Sequence, residues 1–300
     1  MTRPDPHTAV ELSAVIVSVS GNTPHVMTTT GRALPSGAFG TDHPTLEQGL
    51  RAWVEAQSGI GLGYVEQLYT FADRNRTGQG QRIISIGYLA LTRATPDGSA
   101  GMNWYAFFPW EDRREGVPAV TDAIRRALTT WKNAAPDAAT RRAREGRIAI
   151  HFPDDPRAWN DELVLQRYEL LWEAGLVEEA VRDGGKASAT VPSLAMPYDH
   201  RRILATGIAR LRAKIKYRPV VFELMPARFT LLQLQSTVEA LAGLRLHKQN
   251  FRRLVQSQGL VEETKGTTRD TRGRPAQLFA FRRDVLRERA AAGTKLPRSG

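Results

Sequence analysis

An α+β chain in two units is predicted: a mixed sheet under helix cover, then a smaller, basic, mainly helical unit closed by a hairpin. Three observations predict it. Residues 10–20 (VELSAVIVSVS), 64–71 (YVEQLYTF) and 82–92 (RIISIGYLALT) are apolar, β-branched runs bounded by polar loops, the pattern of strands. Residues 45–58 and 230–242 repeat apolar side chains at helical spacing behind a capping pair. Charge is also divided unevenly along the 300 residues. Lys and Arg outnumber Asp and Glu by 42 to 31, a formal +11, yet residues 201–300 alone hold 22 against 7. That makes the last third +15 and leaves 20 against 24, or −4, for residues 1–200.

In chain order, Gly21, Asn22 and Pro24 punctuate the first strand as a hairpin turn. Residues 30–40 (TGRALPSGAFG) read as a loop whose three glycines and Arg32 let backbone amides approach an anion. Thr45 and Gln48 form a capping box; Leu46, Leu50, Trp53 and Val54 share one face of the helix that follows, and Gly59 stops it. Further strands are expected at 64–71, 82–92 and 103–108 (NWYAFF), giving a sheet with helix cover. A helix is expected over 118–135, a basic stretch over 141–147 leading to a strand-like 147–152, and a largely helical 161–182 interrupted at Gly175. The small, Gly- and Pro-containing 183–197 reads as the linker. The expected domains are thus 1–197, with a helical extension over 113–197, and 198–300. Asp199 is placed to cap a helix running to about Lys216, and 217–224 leads into the final unit.

That unit carries the strongest pattern. Thr230 and Gln233 form a capping box, Leu231, Leu234, Val238 and Leu241 make one apolar stripe, and Gly243 supplies the left-handed stop. Phe251, Leu254 and Val255 mark the buried face of a second helix, ended by Gly259, which turns Lys248, Gln249, Arg252, Arg253 and Gln256 outward. Strands at 260–263 and 276–281 flank a polar segment with Lys265, Arg269, Arg272 and Arg274. Each helix alone also fits any small helical domain with a solvated basic face, but the ordered combination reads as a winged helix-turn-helix. Gln249, Asn250, Arg252 and Arg253 are the base-edge candidates, because Asn and Gln pair bidentately with adenine and Arg with guanine; Asn250 has a local cap as its alternative. Thr230, with Gln233 beside it, and Lys248 are placed for phosphate, and Arg272 and Arg274 for a minor groove or its phosphates. The expected partner is double-stranded DNA.

Other classes find little support. The chain has no cysteine, so disulfides and thiolate metal sites are excluded. The six histidines are scattered without ligand spacing, and no structural metal is expected. The start lacks an apolar leader, no run approaches a membrane span, and a cytoplasmic location without membrane association is expected. No Ser/His/Asp arrangement or Walker loop is present, and no catalytic residue is named.

Residues 37–60 resemble a Nudix box, whose pattern ends R-E-U-x-E-E-x-G-U with U apolar. With Gly59 and Ile60 aligned to the closing pair, Ala52 and Trp53 stand where the family has R-E, and Ala56 and Gln57 where it has E-E. The departures fall on the metal-binding carboxylates, so a Nudix-like α/β/α sandwich is implied without hydrolysis. A degenerate domain of that kind joined to a C-terminal winged helix resembles the Nudix-related transcriptional regulators of NAD metabolism. The match is most specific in LPSG (34–37), GYVEQLYTF (63–71), YRPVVFELMP (217–226), FTLLQLQ, NFRR and GRPAQLF. The resemblance implies a homodimeric repressor of NAD biosynthesis genes on a palindromic operator, no cofactor, and an effector nucleotide: ADP-ribose, ATP or NAD. The alternative is a pyrophosphohydrolase acting on ADP-ribose or a related nucleotide. For the effector, Arg32, Ser36, Gly37, Arg74, Arg76 and Arg82 are the phosphate-side candidates, and Tyr69, Phe71, Trp104 and Tyr105 the stacking ones.

Overall fold

Strand β1 (Ala9–Ser20) organises the N-terminal unit, because both of its faces are buried: Leu12, Ala14 and Ile16 on one side, Val15 and Val17 on the other. A strand covered on both faces needs two partner layers. A hairpin through Gly21 and Asn22, both at positive φ, returns it as β2 (Thr23–Val26). Residues 30–40, expected as a loop, contain a strand, β3 (Ser36–Ala38), which pairs antiparallel with β1. Helix α1 (Leu46–Ser58) follows, and Thr45 Oγ1 accepts from Gln48 N–H at 3.2 Å. Then come β4 (Val65–Phe71), β5 (Ile83–Leu91) and the two-residue β6 (Met102–Asn103). The sheet order is β4-β5-β1-β2-β6, with β1 and β5 parallel and the other pairs antiparallel. The computed structural model describes residues 9–40, 44–58, 61–72, 83–93, 101–186, 191–268 and 275–284.

Residues 103–108, expected as a strand, turn instead. The Asn103 carboxamide oxygen accepts from Tyr105 N–H at 2.9 Å and folds Trp104–Ala106 into a 3-10 turn, with another at Pro109–Glu111. Trp104, Phe107 and Phe108 are then buried at the i, i+3, i+4 spacing of a helical turn, where a strand would alternate.

The extension is helical: α2 (Val120–Asn133), α3 (Ala138–His151), α4 (Val164–Glu173) and α5 (Glu178–Arg182), the last two parted by Gly175 at φ 71. Residues 147–152, expected as a strand, instead complete α3. Asp137 caps that helix, accepting from Thr140 N–H at 2.7 Å, and once nucleated it runs through Ile148 and Ile150 despite their β preference. The described part of the expected linker is pinned. Val191 N–H donates to Leu176 O at 2.9 Å, Leu194 N–H to Ala106 O at 2.8 Å and Met196 N–H to Glu179 Oε1 at 3.0 Å.

Helix α6 (His200–Tyr217) lies C-terminal to residue 197, yet it completes the sandwich. Leu50 and Val54 of α1 cover Leu12, Ala14 and Ile16; Ile203, Leu204 and Ile208 of α6 join Val15, Val17, Leu89 and Leu91 on the opposite face. Gly207 permits the approach, since a Cβ there would sit 2.9 Å from Val15 Cγ1. Asp199 holds the N-cap position without the expected side-chain cap hydrogen bond. The last unit comprises α7 (Leu231–Ala242), α8 (Lys248–Ser257) and the hairpin β7 (Val261–Thr268) and β8 (Ala276–Phe281).

Candidate nucleic-acid interface and effector region

The capping box at α7 is closed in both directions: Thr230 Oγ1 accepts from Gln233 N–H at 3.1 Å, and Gln233 Oε1 accepts from Thr230 N–H at 2.7 Å. Thr230 is buried, so its hydroxyl serves the helix first. The far end stops at Gly243, φ 70. The turn to α8 is fixed by Glu239, whose carboxylate accepts from Leu246 N–H (2.9 Å), Gln235 Nε2 (2.9 Å) and Arg245 Nη1 (3.1 Å). Burial pushes that carboxyl up, and the hydrogen bonds from Gln235, Leu246 and Arg245 outweigh it, so it titrates below its ordinary value.

Helix α8 buries only Phe251 and Val255. Lys248, Gln249, Asn250, Arg252, Arg253 and Gln256 are all exposed, as expected. Asn250 is the third residue of the helix; His247 holds the cap position, without a side-chain bond. Leu254, expected on the buried face, is 53% exposed, because the end of α6 leaves a largely apolar hollow beside it, lined also by Tyr217, Val238 and Leu246. The first wing strand extends past 263 to Thr268, with Gly266 at φ 137 and Lys265 exposed. Arg269, Arg272 and Arg274 lie outside the described residues. The wing is anchored by an antiparallel bridge between Phe229 and Phe279, and by Phe281 stacked on Phe222 with centroids 4.2 Å apart.

Beneath α7 lies a buried network that the sequence reading did not identify. Glu111 accepts from Arg167 of α4 (Nε 2.5 Å, Nη2 2.9 Å) and from Arg212 of α6 (Nη1 2.6 Å). Arg212 Nε also donates to Leu241 O at 2.9 Å, and the Tyr105 hydroxyl donates to Ala240 O at 2.7 Å. Burial pushes the Glu111 carboxyl up, but the charges and hydrogen bonds of the two guanidiniums outweigh it and hold it below the ordinary carboxylate value. The available sequence signal was a lone Glu inside the aromatic run FFPWEDRR.

The effector candidates are dispersed. Ser36 and Gly37 pair with β1, and Gly37 is required by close approach: a Cβ would lie 2.4 Å from Trp53 Nε1 of α1. Arg32, at φ 64, lines a separate hollow of about 250 Å³ with Glu178, Glu179 and Arg182. Tyr69, 57% exposed, lies under Arg210 of α6 with the guanidinium 5.8 Å from its ring, and Phe71 packs near Gly87 and Ile203. Trp104 and Tyr105 are core residues, edge-to-face at 5.8 Å, and buried rings offer no stacking surface. Arg74, Arg76 and Arg82 lie outside the described residues. Beside α1, a cavity of about 120 Å³ is lined by Thr28, Thr29, Pro35 and Trp53, none of which was named as a candidate. In α1, Ala56 and Glu55 are exposed and Glu47 pairs with Arg51 at 2.9 Å. Among the described residues no group of three or more acidic or His side chains could hold a metal.

Residues 221–281 match the family described as the NrtR DNA-binding winged helix domain. The C-terminal unit is thus similar to an NrtR winged helix. The ADPR responsive transcriptional repressor NtrR of Acinetobacter baylyi is 40% identical over 88 residues, 29% of this chain and 35% of that relative, so the matched stretch spans little more than a third of its length. NrtR of Shewanella oneidensis complexed with a 27mer DNA aligns with 93% of this chain and 95% of its own, at TM-score 0.53 and 19% identity. The same protein without DNA aligns with 92% and 95%, at TM-score 0.52 and 17% identity. At these identities the likeness is one of fold, a sheet sandwich under helix cover joined to a winged helix. No described helix is long and apolar enough to cross a membrane.

Proposed function

We propose that this chain is a DNA-binding transcriptional repressor of NAD biosynthesis genes whose Nudix-like unit senses a nucleotide. The observation that carries the proposal is α8: five polar or cationic side chains, Lys248, Gln249, Asn250, Arg252 and Arg253, stand exposed on a helix whose buried edge is fixed to an NrtR winged helix. Amides and guanidiniums on such a helix match the donor and acceptor pattern of the major groove, and the +15 of the last third supplies phosphate attraction. ADP-ribose ranks first as effector because the Acinetobacter relative is ADPR responsive, with ATP and NAD as competitors. The effector is sensed rather than hydrolysed: Ala56 and the neutral Gln57 replace metal-binding carboxylates, and Glu47 is engaged with Arg51. The working form is a homodimer on a palindromic operator, since two-fold proteins match two-fold sites.

Gel-shift titration of promoter duplexes from its own NAD genes against unrelated duplexes, over a range of salt, tests the proposal. Specific binding should exceed non-specific binding by about 1000-fold or more, with a slope of roughly −0.9 per phosphate neutralised. Equal affinity for both duplexes removes it. A thermal-shift screen of ADP-ribose, ATP and NAD ranks the effectors, because a ligand bound only by the folded state raises its melting temperature. Turnover of ADP-ribose with Mg²⁺ would restore the hydrolase alternative.

A further inference from the structure

We propose that Tyr105 and Arg212 are positioning residues: they fix the C-terminal end of α7 to the sheet unit, so that effector binding near residues 30–37 is transmitted along α6 to the aim of α8. This rests on the repressor function proposed above.

The last carbonyls of a helix have no partners within it and must find them elsewhere. In α7 the sheet unit and its cover take two of them, Ala240 O by the Tyr105 hydroxyl at 2.7 Å and Leu241 O by Arg212 Nε at 2.9 Å, and also Gly243 O, just past the end, by Arg113 N–H at 2.8 Å. There is no slack at this junction. A Cβ on Gly243 would lie 2.3 Å from Glu111 O. The turn that follows is tied back as well, with Arg245 paired to Glu115. The end of α7 therefore points where residues 105–115 and α6 hold it.

Helix α6 reaches the other site. Its first residue, His200, is buried, and its Nδ1 accepts from Leu34 N–H at 2.9 Å, inside the loop that carries Arg32, Ser36 and Gly37. Arg212 follows twelve residues later, about 18 Å along the axis at 1.5 Å per residue. One rigid helix thus touches the candidate effector loop at its start and the α7 end three turns on. The Glu111 carboxylate orients the Arg212 guanidinium between them (2.6 Å). Replacing a buried ion pair by well-packed apolar side chains of the same volume is often neutral or stabilising, so the contribution of this pair is the fixing of one arrangement.

The test uses the full chain, the duplex it selects from random sequence, and a single half-site of that duplex. For wild type, saturating ADP-ribose, ATP or NAD should change affinity for the selected duplex by about 5-fold or more. Tyr105→Phe removes only the hydroxyl, and Arg212→Lys keeps the charge but loses the fork. Either should reduce that factor to below about 2-fold, with half-site affinity close to wild type and a melting temperature lowered by the lost hydrogen bond. Tyr105→Phe decides alone should Arg212→Lys fail to fold. Folded variants that keep the wild-type factor overturn the proposal, as do variants that lose half-site affinity as well, the mark of a merely structural role. Wild-type protein that binds the duplex and ignores all three nucleotides removes nucleotide sensing and this coupling together. A responsive wild type with equally responsive variants removes this coupling alone.

Discussion

Helices α7 and α8 are consecutive, similar in length and oppositely built. Eight of the twelve residues of α7 are buried, against two of the ten of α8. The first is held at its start by the capping box, along its length by Glu239, and at its end by Tyr105 and Arg212. The second is held along one edge, by Phe251 and Val255. A helix that is to read a groove keeps its polar side chains uncommitted, and so has little of its own with which to fix its direction. The committed neighbour supplies that direction.

The largest effect should come from the anchor of α7. Removing one partner of a buried ion pair costs about 3–5 kcal/mol, which is the expected loss for Glu111→Gln at pH 7. Because the folded carboxyl titrates below its ordinary value of 4.5, its contribution is complete above about that pH and disappears as pH falls through the depressed value. Thermal melts of wild type and variant should differ at pH 7, and the gap should narrow as pH falls below 4.5 into the depressed range of the carboxyl. A variant that melts with wild type at pH 7 would mean that α7 is not anchored through Glu111. Next is Leu234→Ala on the buried stripe of α7, expected to cost about 2–5 kcal/mol in denaturant unfolding. On α8 the currency changes: Arg252→Ala should leave the melt unchanged and weaken operator binding by about 1–3 kcal/mol. A drop in melting temperature there would erase the distinction between the two helices. Smallest is Leu254→Gln, exposed and beside the hollow, expected within about 0.5 kcal/mol. A loss of several times that would show that α8 is held by a second edge.

The sequence reading of these two helices was nearly complete because their signals are local. A capping box, a 3.6-residue stripe and a terminal glycine each specify structure within a few residues, and β1 and β5 announce themselves by β-branched runs. Leu254 was misplaced because its burial depends on how far α6 reaches, which no pattern in α8 encodes. Residues 103–108 failed for a related reason: aromatic side chains suit a strand and a buried turn alike, and here the Tyr105 N–H donates to the Asn103 side chain and closes a turn. Residues 147–152 were decided by Asp137, ten residues upstream. The candidate site divides in the same way. The outward residues of α8 were legible from periodicity, whereas the Glu111 network joins positions 105, 111, 167, 212 and 241, whose adjacency exists only in the fold. The effector residues were named by residue type, and type alone could not show that Arg32 lines a hollow with Glu178 and Arg182, Gly37 packs against Trp53 and Tyr69 lies under Arg210.

Helix α6 has a consequence for cooperativity. Since it closes the sheet with Ile203, Leu204 and Ile208 and clamps α7 with Arg212, a break at residue 197 is not an energetic seam: a fragment ending there would leave Val15, Val17, Leu89 and Leu91 open to water. Calorimetry of the whole chain should show one endotherm in place of two. A fragment extended to Tyr217 should keep its sheet intact, while the winged helix cut away from it loses the partners of its last α7 carbonyls and melts at lower temperature. The winged helix is stable in the company of the sheet, so the two halves of the chain should fold and unfold together.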